Sequence, residues 1–193
     1  MLKINPTYRS SILIKTLGLF LLFVVVFSIR AYSQANIYVL KAVYLEKFSR
    51  FITWPEECEM DNLSKPFVIG VIGKTPLHKN LEQIYAIQKI NNKKVEIRKI
   101  NNLYEIKDVH LLFIAESEKR NLQNILVLTE RLPVLTVSET ENFAEKGVLI
   151  NFYEKEKKLH FEINETAVLN SPLQMSFYLL NSAKILKPVK KDQ

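Results

Sequence analysis

The sequence predicts a single α/β domain, a three-layer sandwich in which a mixed, mainly parallel sheet is flanked by helices. Three observations lead there. Continuous apolar runs of strand length recur: FVIGVI at Phe67–Ile72, VHLLFIA at Val109–Ala115 and PVLTVS at Pro133–Ser138. A strand covered on both faces reads this way. Amphipathic helical segments separate the runs, and such alternation builds parallel sheets. No repeat, low-complexity stretch or linker divides the chain.

Residues 1–35 read as a leader. They carry Lys3, Arg9, Lys15 and Arg30 and no acid, and the 14-residue apolar run TLGLFLLFVVVFSI lies between Lys15 and Arg30. A spanning helix needs about 20 apolar residues, so the run fits a secretory signal peptide. The small residues after it allow a cut before Gln34 or before Asn36. An uncleaved N-terminal anchor would also leave the domain outside the membrane. The whole chain has 27 basic and 20 acidic residues, +7. Without the four leader bases the balance is 23 to 20, or +3. The Lys-rich pieces Asn91–Lys99 and Lys184–Lys191 therefore read as solvated faces, and no nucleic-acid partner is expected. Residues 36–187 form the domain, and 188–193 a disordered basic tail. Cys58 is the one cysteine, so the exported domain rests on its core.

The first element of the domain is a helix over Asn36–Pro55. Ile37, Leu40, Val43, Tyr44, Phe48, Phe51 and Ile52 form an apolar stripe at helical spacing, expected to pack inward. Pro55 should stop this helix near Trp54. After the strand Phe67–Ile72, Thr75-Pro76 is a cap-and-N1 pair opening a helix to about Gln88. Lys94–Ile100 alternates as an edge strand. Val109–Ala115 is the next strand, Ser117-Glu118 opens a helix to about Thr129, and Pro133–Ser138 is buried. A short helix is expected over Glu141–Lys146, with Gly147 as its C-cap. Val148–Tyr153 and Lys158–Ile163 flank the charged turn Glu154–Lys157 as a hairpin, an antiparallel edge to the sheet. Asn164 can cap a final helical region. Pro172 interrupts it, and Ser171-Pro172-Leu173-Gln174 resembles a fresh helix start carrying the stripe Met175, Leu179, Ala183 and Leu186.

Little in the sequence supports catalysis. His78, His110 and His160 match no metal spacing, and His110 sits among apolar residues. Ser117 and Ser138 lie outside any GxSxG, and no paired carboxylates demand acid–base work. Cys58 has no His or second Cys beside it. Ligands of open α/β sheets bind at strand C-termini, here the turns after Ile72, Ala115 and Ser138. Gly73, Lys74 and Thr75 offer the best such turn, with backbone donors and a cation, although neither GxGxxG nor a P-loop is present. No cofactor or metal is expected.

Several stretches then occur in a distinctive order: KAVYLEKFSRFITWP, FVIGVIG, VHLLFIAESE, PVLTVSETENFAEKGVLINF and LHFEIN. Together they resemble the YfiR family of periplasmic proteins over about Ile37–Leu186. Trp54 and Pro55 match the family's helix end. Phe143 and Gly147 match its F…GG segment, with Val148 where a second Gly is common. Glu162, Ile163 and Asn164 match its FEIN segment. Val109 stands where many members place Cys, which removes the basis for an intramolecular disulfide, and Ser171-Pro172 stands where Ala-Gly is usual.

The resemblance implies a non-enzymatic periplasmic regulator. It would bind and inhibit the periplasmic region of an inner-membrane signalling protein, a diguanylate cyclase or a histidine kinase, and so govern cyclic-di-GMP. A homodimer is also implied. Candidate partner contacts are Trp54 and Phe51 at the helix end and Glu162, Ile163 and Asn164 in the FEIN segment. The alternative is a small-molecule-binding module with its ligand at Gly73, Lys74 and Thr75. Mass spectrometry of the exported protein should find an N-terminus at Gln34 or Asn36; an intact Met1 overturns cleavage.

Overall fold

In a computed structural model the described residues are 37–187. The expected leader (1–35) and tail (188–193) lie outside them. The first helix, α1, covers 37–50 and stops before Trp54. Phe51 N donates to Phe48 O (3.0 Å) in a closing turn, and Ile52–Thr53 form strand β1. β1 pairs antiparallel with β8 (Gln174–Met175), Ile52 opposite Met175. A tertiary strand partner ends the helix before Pro55 can.

The main sheet has seven strands: β2 (Phe67–Ile72), β3 (Val95–Ile100), β4 (Leu111–Ile114), β5 (Leu135–Ser138), β6 (Ile150–Lys155), β7 (Lys158–Asn164) and β9 (Lys184–Leu186). Their order is β3-β2-β4-β5-β6-β7-β9. The pairings from β3 to β6 are parallel, β6–β7 is antiparallel, and β7–β9 is parallel. The expected mixed, mainly parallel sheet is present, with helices on both faces. The hairpin is not its edge, because β9 covers β7. Glu156 and Lys157 both have positive φ (53° and 61°), as a tight hairpin turn of matching twist requires.

One face carries Phe67, Ile69, Val71, Phe113, Val137, Ile150, Phe152, Phe161 and Ile163, all buried. It is covered by α1 and α2 (Leu77–Tyr85), whose Tyr85 hydroxyl donates to Ala42 O at 2.8 Å. Thr75 Oγ1 accepts from Leu77 N (3.2 Å), so Thr75 caps α2 as expected. On the other face, Val68, Ile72, Leu112 and Ile114 pack with Ile106, with Leu122, Ile125 and Leu126 of α3 (Leu122–Thr129), and with Phe143 and Val148.

The expected helix over Glu141–Lys146 is a series of turns. Asn142, at φ 66°, takes the left-handed conformation that a helix cannot hold. After α4 (Glu165–Asn170), Ser171-Pro172 leads into β8, not into a helix. Ser176 then caps the short α5 (Phe177–Asn181), its Oγ accepting from Leu179 N (3.3 Å). The expected stripe to Leu186 breaks there, and Lys184–Leu186 join the sheet.

The buried side of α1 differs from the stripe read in the sequence. Ala42, Leu45, Phe48 and Ile52 are buried, with Lys41 and Ser49 beside them. Leu40, Val43 and Phe51 are exposed. Tyr44 and Phe48 meet Phe152 and Phe161 in a four-ring cluster, the closest pair being Phe48–Phe161 at 4.8 Å. Lys41 also reaches across to form an ion pair with Glu139 after β5.

Lys93 is not solvated, contrary to the charge reading, whereas Lys184 stays exposed while pairing with Glu162. Lys93 is fully buried, and its ammonium donates to Glu59 O (2.9 Å), Met60 O (3.4 Å) and Asn62 O (2.5 Å). Burial lowers its pKa. Lys93→Met keeps the aliphatic stem and leaves those carbonyls without their donor. It should cost about 2 kcal/mol in urea unfolding; an unchanged midpoint would show that water replaces the ammonium.

Candidate functional site

Trp54 lies where β1 leaves α1, and it is half-buried. Its ring meets Phe67 (5.7 Å, edge-on) and His110 (6.0 Å, edge-on), and its Nε1 donates to Ser49 O at 3.4 Å. His110 stacks on Phe67 at 4.9 Å. Its Nδ1 accepts from Val68 N (3.0 Å), which requires that nitrogen to be unprotonated. Burial pushes the His110 pKa down, opposed by a hydrogen bond to the Cys58 backbone and helped by the Lys93 charge. His110 is thus a sheet-end histidine doing backbone work. Cys58 is a free, half-buried thiol whose pKa is raised by burial and then by Glu57.

The turn expected to bind a ligand packs against the start of the following segment, with Lys74 exposed. The strand order reverses between β2 and β4, the place where α/β sheets usually open a crevice. Gly73 has φ +89°, and a Cβ there would fall 2.5 Å from Ser117 Oγ. Lys74 N donates to that same Ser117 Oγ (2.8 Å), and Leu77 N is taken by Thr75. Gly73, Lys74 and Thr75 therefore come together as a capped turn packed against residues 115–118, with two of its backbone donors already used.

The FEIN residues hold the far end of the sheet. Glu162 is buried; its Oε2 accepts from Lys184 Nζ (3.0 Å) and its Oε1 from Asn151 Nδ2 (3.4 Å). That carboxylate raises the pKa of Lys184. Ile163 is fully buried and faces α1's side of the sheet. Asn164 caps α4 by accepting from Ala167 N (2.8 Å) and donates to Ala144 O (2.6 Å). Ile163 has no surface to offer a partner, and Glu162 has little.

Phe51 is placed differently. Its carbonyl accepts from Ser176 N at 2.9 Å, so it sits beside the start of α5. There Phe177 and Tyr178 are 71% and 75% exposed, and along α1 Leu40, Val43 and Phe51 are 40%, 41% and 40% exposed. The Ser176–Phe51 hydrogen bond thus brings exposed Phe51 beside exposed Phe177 and Tyr178, and Leu40 and Val43 are exposed further along α1. Sequence reading missed Phe177 and Tyr178 because it placed them in a long helix. The available signal was Ser176, a good N-cap directly before two large aromatics.

A match to the YfiR/HmsC-like family model spans residues 38–184. The chain belongs to this family. The match covers nearly the whole described domain, including every residue just placed. No curated protein matches. Among solved structures, a conserved domain protein from Vibrio cholerae aligns at TM-score 0.46 and 12% identity, over 69% of this chain and 58% of that one. The ABC domain from Streptococcus pneumonia, in complex with L-Trp, aligns at 0.45 and 11%, over 69% and 62%. This YfiR/HmsC-like chain thus spans about three-fifths of either structure. Among the described residues no group of His, Cys, Asp and Glu could hold a metal, and no helix is long and apolar enough to cross a membrane.

His110 makes stability depend on pH. Its folded pKa lies below its unfolded value of 6.5, so acid protonates the unfolded chain first. The contribution is complete above about pH 6.5 and is lost as pH falls towards the depressed value. The urea midpoint should drop between about pH 7.5 and 5. His110→Gln, which accepts from Val68 N at any pH, should flatten that drop; an equal drop in the variant assigns it elsewhere.

Proposed function

We propose that this chain is an exported, non-enzymatic regulator that binds the periplasmic region of an inner-membrane signalling protein and inhibits it. The signalling protein would be a diguanylate cyclase or a histidine kinase. Its family is one of periplasmic regulators of signalling, which supports the class of activity. The observation that carries the reading is the exposure of Phe51, Phe177 and Tyr178 around the Ser176–Phe51 hydrogen bond, with Leu40 and Val43 exposed on the same helix. Exposed large apolar side chains that cluster, as Phe51 does with the start of α5, commonly mark a surface that a partner covers. Phe and Tyr are also common anchors of interfaces.

Phe51 is the member of the expected contact set that lies on this surface. Trp54 adds the part of its ring that Phe67 and His110 leave uncovered. Glu162, Ile163 and Asn164 serve the contact indirectly, by holding β9, the turns before β6 and α4 in place. Inhibition follows if the covered partner is held in its inactive arrangement, which needs differential affinity for one state.

The test is complementation of a deletion strain, with cyclic-di-GMP and protein level read together. Wild type should restore the low-output state. Phe51→Ser with Phe177→Ser should accumulate normally, unfold at the wild-type urea midpoint and fail to restore it. Trp54→Ala should lower stability by about 2 kcal/mol, because its ring is partly core. Full repression by the Phe51/Phe177 double variant would remove this surface from the mechanism.

A further inference from the structure

A second candidate site lies on the opposite face of the sheet from α1. A cleft of about 820 Å³ opens between α3, α4 and β9, within the range of about 300–1,000 Å³ usual for small-molecule sites. Its floor is Val134, Thr136, Leu149 and Asn164, at the start of β5 and the end of β7. This is the sheet end away from Gly73.

The walls carry Glu130 and Glu145, Lys146 and Lys187, and the side-chain amides of Gln123 and Asn170. None of these four charges is within ion-pair distance of another described residue. Leu126, Leu149 and Leu186 supply an apolar lining between them. Charges of both signs on one lining suit an occupant that carries both signs. The two acids disfavour a nucleotide. No aromatic ring lines the cleft, so a sugar finds no stacking platform. Primary amides that both donate and accept match peptide groups.

The cleft also touches both ends of one chain segment. Thr166, Ala167 and Asn170 of α4 line it, and so do Ile185 and Leu186 of β9. The chain between them carries β8, which pairs with β1, and α5, which displays Phe177 and Tyr178. α4 has six residues and β9 three, and elements so short open locally at low cost.

We propose that this cleft binds short peptides with free amino and carboxyl termini, and that occupancy tightens the β8–α5 segment. The amine goes to Glu130 and Glu145, the carboxylate to Lys146 and Lys187, and an apolar side chain to the leucine lining. The regulatory consequence rests on reading the α1–α5 surface as the docking face; the binding itself does not.

The experiment titrates trileucine, and its N-acetylated C-terminal amide, into isotope-labelled exported protein and follows backbone amides. Free trileucine should shift the signals of Gln123, Asn170 and Leu186 saturably. The blocked peptide should bind at least about tenfold more weakly, a difference of about 1.4 kcal/mol. Glu130→Gln with Glu145→Gln, both exposed and so neutral to folding, should weaken free trileucine comparably. At saturation, hydrogen exchange at Ser176 N, which donates to Phe51 O, should slow several-fold. Absence of a saturable shift at the cleft, or equal binding of the blocked peptide, overturns the site. Binding without slower exchange at Ser176 overturns the coupling. Neither readout uses the signalling partner, so a failed docking face leaves both results interpretable.

Discussion

The packing of Phe48 against the hairpin is the contact on which the rest of this structure depends. Phe48 lies 4.8 Å from Phe161 and 5.5 Å from Phe152, with Tyr44 closing the group. Each such pair adds about 0.5–1.5 kcal/mol beyond the burial of its rings. Its positional effect matters more. β6 and β7 turn the parallel sheet antiparallel, and α1 crosses from the parallel half to cover them. With α1 seated there, Tyr85 can reach Ala42 O and Lys41 can reach Glu139. The same seating decides which side of α1 faces outward.

A second corner fixes where α1 ends. The loop after Trp54 is gathered by the buried ammonium of Lys93, which takes three carbonyls. Above it the His110 imidazole accepts from Val68 N while its own backbone N donates to Val68 O (2.9 Å), and Phe67 and Trp54 flank that imidazole. A charge and a histidine in such positions would suggest chemistry in another context. Here both substitute for missing backbone partners, which a loop leaving a sheet needs.

The two surfaces of functional interest share one segment. β8 and α5 hang between α4 and β9 and are tied to α1 through Ile52, Met175 and the Ser176–Phe51 hydrogen bond. Short elements of this kind hold few contacts of their own, so their position is set by what sits at either end. At Gly73 the turn is packed against residues 115–118, and the cleft lined by α3, α4 and β9 lies at the other end of the sheet.

The central strands were legible from local pattern alone. Phe67–Ile72, Leu111–Ile114 and Leu135–Ser138 are strands because continuous β-branched and apolar runs are stable when both faces are covered. Thr75 and Asn164 cap helices because their side chains reach backbone donors within a few residues. Those are local properties, and the family's stretches follow the same order. Tertiary structure decided what local rules leave degenerate. α1 has apolar residues on two sides, and its length and inward face were settled by the β1–β8 pairing and by Phe152 and Phe161. Lys93 reads as solvent-facing until the fold buries it against three carbonyls. Phe177 and Tyr178 became surface because β8 and β9 interrupt the last helix, pairings whose partners lie more than a hundred and about twenty residues away respectively.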